Sequence, residues 1–152
     1  MTKRFLIAHL TSFLLISSAI TLSAQCKVKP IVKNCMPELA PYQYDSYAVK
    51  EITYVTTAKK DVLEFSVYSG EQYKLVFGKT ELPQEIGITI YDKQPSRKDK
   101  KILYFDESGK KDNLVCNFTP STTGTYYIEF ETPPATAPNQ KGCFVVLIGI
   151  KD

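Results

Sequence analysis

The side chains left to do chemistry in this chain are carboxylates, four cysteines and ten tyrosines; there is no tryptophan and one histidine, His9. His9 falls within residues 1–24, which read as a secretory signal peptide. Lys3 and Arg4 supply the charged start, Phe5 to Ile20 the apolar stretch, and Leu22-Ser23-Ala24 a small-residue cleavage site before Gln25. The processed chain then contains no imidazole. Ser-His-Asp and Cys-His centres cannot be built without one, and the commonest metal ligand goes with it. Carboxylate chemistry survives, because two carboxyl groups suffice to hydrolyse a glycosidic bond. Asp106 and Glu107 stand beside a Gly turn, and Glu129 and Glu131 share one face of a strand, about 7 Å apart by strand geometry. Alternation with Ile128 and Phe130 assigns Glu129 and Glu131 to the solvent face. The pattern reads as non-catalytic, with a small carboxylate-dependent hydrolase as the enzymatic alternative.

Tyrosine is the residue type best suited to recognition here, since it offers apolar area and a hydroxyl at small entropic cost. Tyr42, Tyr44 and Tyr47 lie close together and are the candidate binding residues, for a protein or a glycan. The competing reading is that their rings cover the open end of a core. The loop Asp92–Lys101 carries five cations against two carboxylates. It suits either an anionic surface or, more plainly, a solvated loop that keeps strand edges unpaired.

Cys26, Cys35, Cys116 and Cys143 all follow the signal segment, and an even count in an exported chain points to disulfides. Cys26–Cys35 with Cys116–Cys143 is one arrangement, and a Cys35–Cys143 tie to the sheets is another. No CxxC pair is present, so no zinc or thioredoxin-type site is expected, and no cofactor. Cys116, between Leu114 and Phe118, falls on an inward face where burial would silence a thiol.

Cleavage after Ala24 leaves 128 of the 152 residues, enough for one domain with one core. Removing Lys3 and Arg4 from 19 basic residues leaves 17 against 16 acidic ones, a balance of +1 that makes no case for nucleic acid. No apolar run after the signal is long enough to span a membrane. Gln25, where a bacterial lipoprotein has a small residue before its modified cysteine, favours ordinary cleavage over lipid attachment to Cys26.

From residue 52 onward the apolar period is two. The runs are Ile52–Thr57, Leu63-Phe65-Val67, Tyr73-Leu75-Phe77, Ile86-Ile88-Ile90, Ile102–Phe105, Leu114-Cys116-Phe118 and Tyr126-Ile128-Phe130. Cys143–Ile150 is apolar on both faces and reads as a central strand covered on both sides. Turns at Ser69-Gly70, Ser108-Gly109, Thr123-Gly124 and Pro133–Pro138 separate them. About eight short strands at this spacing predict an all-β, antiparallel β-sandwich of jelly-roll type. Residues 25–51 then form an N-terminal segment packed on the body, and 52–152 the sandwich. No convincing amphipathic helix is visible, and Glu38–Val49 holds at most one helical turn between prolines.

Three segments carry a resemblance: Asp61–Leu75, a strand, a Gly turn and a second strand; Ile88-Thr89-Ile90-Tyr91-Asp92; and Phe118–Ile128, with its Pro120-x-x-x-Gly124-Thr125-Tyr126-Tyr127-Ile128 run. In this order they resemble the jelly-roll modules called bacterial pre-peptidase C-terminal (PPC) domains and their CUB- and GOLD-like relatives. A signal ending Ser23-Ala24-Gln25 resembles those of exported Bacteroidota proteins. In the run, Gly124 is expected to take the positive φ that ends a tight turn. The resemblance implies a non-catalytic appendage or small exported binding module. The chain is therefore expected to bind or scaffold in the periplasm or outside the cell; a structural envelope component, lipid-anchored or self-associating, is the non-enzymatic alternative.

Overall fold

The computed structural model describes residues 26–106 and 114–151. The predicted signal peptide, Glu107 and the Ser108-Gly109 turn lie outside them. The strands are β1 (Gln43–Thr53), β2 (Lys59–Val67), β3 (Gln72–Gly78), β4 (Gly87–Tyr91), β5 (Ile102–Asp106), β6 (Leu114–Phe118), β7 (Gly124–Thr132) and β8 (Lys141–Lys151). They form two four-stranded sheets, ordered β1-β8-β3-β6 and β2-β7-β4-β5, with every pairing antiparallel. Successive strands alternate between sheets except where β4 passes to β5, which is the jelly-roll order.

Period-two alternation places the core. Leu75, Phe77, Cys116, Phe144 and Val146 from the first sheet meet Phe65, Ile88, Ile90, Tyr126, Ile128 and Phe130 from the second, all buried. Phe118 joins the two sheets by stacking on Tyr73 at 5.6 Å and Tyr126 at 5.9 Å between ring centres. Strand β8 sits between β1 and β3, and Val145 and Leu147 on its other face are also fully buried. Both faces of the Cys143–Ile150 run are covered, as its unbroken apolar sequence requires.

The second cover is a helix that the sequence reading did not anticipate. Helix α1 (Val28–Cys35) and a following 3-10 turn (Met36–Leu39) lay Ile31, Cys35 and Leu39 on Val76, Val145 and Leu147. These three residues recur every fourth position, so the helical stripe was present in the sequence. It was masked by Pro30 and by a start without a side-chain cap. Proline is tolerated there because a first-turn N–H has no helical acceptor in any case. The helix seats directly on backbone at Gly78, where a Cβ would stand 2.5 Å from Ile31 Cγ2 and 2.6 Å from Cys35 Sγ.

Two local expectations are corrected. Strand β1 begins at Gln43, nine residues before the run Ile52–Thr57 that was expected to carry it, and ends at Thr53. Its edge position and many exposed side chains hide the alternation. Among the described glycines Gly70, in the β2–β3 turn, has positive φ (95°), whereas Gly124 simply opens β7.

Candidate functional site

Tyr42, Tyr44 and Tyr47 come together on one face, through a device the sequence does not reveal. In a regular strand residues three apart point to opposite faces. Strand β1 carries a bulge at Asp45: Tyr44 lies opposite Gly149 and Ser46 opposite Ile148, leaving Asp45 as the extra residue. Tyr44 and Tyr47 therefore both face outward, on the same side as α1, and Val49 and Glu51 continue the row. Tyr44 and Tyr47 are about half exposed (45% and 48%) and Val49 is 37% exposed, so this part of the ledge is uncovered by the helix. Tyr42 is the exception. It is half-buried over Gly149, where a Cβ would stand 3.0 Å from its own Cβ.

Lys74 holds this corner together. Its ammonium, on a side chain almost buried, donates to the carbonyls of Glu38 (3.1 Å) and Ala40 (2.7 Å) and lies 5.0 Å from the Tyr42 ring centre. The carbonyls left at the end of the 3-10 turn are thereby satisfied by a charged donor. Tyr42 is thus a structural member of the group, and Tyr44 and Tyr47 are its exposed members.

Beside the ledge, the two sheets part along their β1 and β2 edges and leave a slot of about 360 Å³. Leu63, Phe65, Ile148 and Ile150 form its apolar floor, and Asp45 and Tyr68 stand among the lining; Tyr47 and Glu64 border it, but the register turns their side chains to the outer faces of the two sheets. Tyr73 closes one end, its hydroxyl accepting the Tyr68 N–H at 3.0 Å. Burial raises the pKa of that hydroxyl, and Glu71 and Asp45 push it the same way.

The carboxylate pair is bridged by a lysine. Glu129 and Glu131 line an open depression of about 380 Å³ on the outer face of the second sheet, while the alternating Ile128 and Phe130 are buried in the core. The Lys60 ammonium bridges the two at 3.2 and 3.3 Å. A general acid needs a desolvated carboxyl; the Glu131 side chain is 52% exposed, and Glu129, at 14%, is held by the Lys60 ammonium.

The cationic loop is largely self-satisfied. Asp99 accepts from Lys93 (2.7 Å) and from Arg97 (2.9 and 3.2 Å), and these partners hold its carboxyl well below the usual range. Lys100 sits 5.5 Å from the centre of the Tyr91 ring, and Asp92 accepts the Lys101 N–H at 2.6 Å. That is the behaviour of an ordered, solvated loop.

The cysteine pairings are also corrected. One disulfide is present among the described residues, Cys26–Cys143, and Cys35 and Cys116 are free and buried. Neither expected arrangement forms, for geometric reasons. Cys143 faces outward beneath α1 while Cys116 faces the core, so the sheet separates them. Cys35 is turned onto Gly78, and Cys26, ahead of the helix, is the thiol that reaches β8. Burial, with Glu38 adding to it, pushes the Cys35 thiol up to about 11, and burial alone takes Cys116 to about 12. Both are unreactive near neutral pH.

No protein-family model and no curated protein matches this chain. Among solved structures, one similar chain is the periplasmic inhibitor of g-type lysozyme from Salmonella Typhimurium, PliG. It is 16% identical, over 70% of this chain and 90% of that one, with a TM-score of 0.37. Another is a chain of infectious bursal disease virus, 9% identical, over 72% of this chain and 31% of that one, with a TM-score of 0.45. Neither likeness carries a functional argument at these scores. The sandwich implied by the PPC resemblance is present; membership of the PPC, CUB or GOLD families is shown by no match.

Sequence reasoning missed the slot and Lys74. A bulge has no reliable residue signature, and a lysine at an alternating strand position reads as solvent-facing. Only the burial of both faces of the first sheet gives Lys74 its task.

Proposed function

We propose that this chain is an exported, non-catalytic β-sandwich module that binds a polypeptide partner through the outward face of β1. The observation that carries this reading is the bulge at Asp45, which sets Tyr44 and Tyr47 side by side on a rigid strand with Val49 continuing the strip. Bulges re-aim side chains, and half-exposed tyrosines on a rigid element lose little entropy when they dock. Asp45 and Glu51 border the strip, whereas Lys50 turns inward, 5.4 Å from the centre of the Phe130 ring. The Cys26–Cys143 disulfide supports export, since such bonds persist in oxidising compartments. The signal-like residues 1–24 support it as well. Among the described residues no helix is long and apolar enough to cross a membrane.

The test is cross-linking in the exporting cell, with a photoreactive phenylalanine placed at position 47, on the ledge, or at position 127, on the opposite sheet. The expected result is a discrete adduct from position 47 that Tyr44→Ala removes while the melting temperature holds. Equal labelling at both positions, or no adduct from 47, would overturn the proposal.

A further inference from the structure

We infer that the depression on the outer face of the second sheet binds a neutral mono- or disaccharide. It lies on the other sheet from β1 and shares no residue with the β1 face, so this inference and the polypeptide reading stand or fall separately. Strand register builds the site. Lys60, Glu131 and Gly87 form one outward row across β2, β7 and β4; Glu129 and Thr89 fall in the next row, and Tyr91 one row beyond. All of them line the same hollow of about 380 Å³, toward the small end of the roughly 300–1,000 Å³ that small-molecule sites occupy.

Two hydroxyls in this hollow are unused. Thr89 and Tyr91 are each only 8% exposed, yet neither hydroxyl has a hydrogen-bond partner among the described residues. Among those residues the one fully enclosed side-chain polar atom without a partner is Glu71 Oε2, so both hydroxyls still reach the hollow they line. Polar groups so nearly enclosed and left unpaired are where a ligand's hydrogen bonds gain most. Charge selects the ligand class. Lys60 stands between Glu129 and Glu131 at 3.2 and 3.3 Å, and the buried Lys79 meets Glu85, also in the lining, at 3.4 Å. Three carboxylates are thus faced by two ammonium groups, and little net charge is left to attract an ion. A second cation would meet Lys60, and an anion would meet the carboxylates. Each carboxylate still has acceptor capacity, because the lysines engage one oxygen of each. A sugar ring matches this pattern, since every hydroxyl on it both donates and accepts. Neighbouring hydroxyls can donate to Glu129 or Glu131 while accepting from Thr89, Tyr91 or Lys60. Pro133 gives the apolar side of the ring a surface to rest on.

The experiment is an amide-resolved NMR titration of the disulfide-bonded protein with cellobiose, maltose and lactose in turn, each to about 50 mM. Glucosamine and glucuronate are the charged comparisons. At least one disaccharide should give saturable shifts at Lys60, Gly87, Thr89, Tyr91 and Glu131, unchanged by added salt, and should bind more tightly than either charged sugar. Thr89→Val/Tyr91→Phe removes both hydroxyls while keeping residues suited to a strand, and should weaken binding about tenfold with the melting temperature held. Should that pair disturb the fold, Thr89→Val alone reads the same hydrogen bond as a loss of about threefold. No saturable shift from any of the three disaccharides, shifts centred outside the hollow, tighter binding of glucosamine or glucuronate, or full binding by a folded variant would overturn the inference.

Discussion

Lys74 is the residue at which sequence and surface are joined. A cation carried outward by alternation has been covered by the N-terminal segment, and it survives burial because two carbonyls and an aromatic face receive it. Lys74→Met keeps the stem and removes the charge, leaving the Glu38 and Ala40 carbonyls without a donor. The expected loss is about 2–3 kcal/mol of unfolding free energy, measurable by urea titration, with Tyr42 becoming more mobile. An unchanged midpoint would show that the carbonyls find water instead.

The buried thiols make a second prediction at this scale. Both have an ordinary value of 9.0, raised in the fold to about 11 for Cys35 and about 12 for Cys116. Above pH 9 the unfolded chain releases these protons while the folded one keeps them. The stability they contribute is therefore complete below pH 9 and falls as pH rises toward 11, by up to about 1.4 kcal/mol per pH unit for each thiol. Cys35→Ala should flatten the alkaline slope of stability, whatever it does to stability at pH 7. The same slope in variant and wild type would contradict the burial of this thiol. The inward face of Cys116 was legible in the sequence because Leu114 and Phe118 flank it at period two. That of Cys35 was not, because its partners lie at helical spacing in a stretch dominated by prolines.

At the scale of elements, the strands were legible and their cover was not. Seven of the eight strands follow apolar alternation or an apolar run, which burial of one or two faces imposes directly. Strand β1 and helix α1 escaped for the same physical reason: each is amphipathic over a short length and owes its position to tertiary contacts. For α1 those contacts are Gly78 and the Cys26–Cys143 bond, which joins positions 117 residues apart, and for the 3-10 turn after it the Lys74 clamp. Closing so long a loop restricts the unfolded chain more than the folded one. Cys26→Ser/Cys143→Ser should lower stability by about 3–5 kcal/mol. Hydrogen exchange should show the loss first in α1 and along the outward face of β8. Uniform loss across both sheets would mean that α1 docks without the bond.

At the scale of the whole molecule, a binding module and a self-assembling envelope component differ at the sheet edges. Pairing between copies needs a long, flat edge, and this molecule blunts its own. Strand β1 is interrupted by the Asp45 bulge and points Lys50 inward, opposite Phe144. Strand β2 points Asp61 inward, opposite Phe130, and ties it to Lys59 at 2.8 Å. On the other side β5 and β6 are five residues each. A partner reaching the β1–β2 side therefore meets side chains before it meets free backbone, which suits recognition through tyrosines better than strand addition. The protein should sediment as a monomer at about 100 μM, well above the micromolar range in which unblunted edges associate. Replacing both inward charges, in Lys50→Val/Asp61→Val, should leave the sandwich folded and produce concentration-dependent dimers. A wild-type chain that already sediments as a dimer would favour the envelope-component alternative. A double variant that stays monomeric would show that the bulge alone protects the edge.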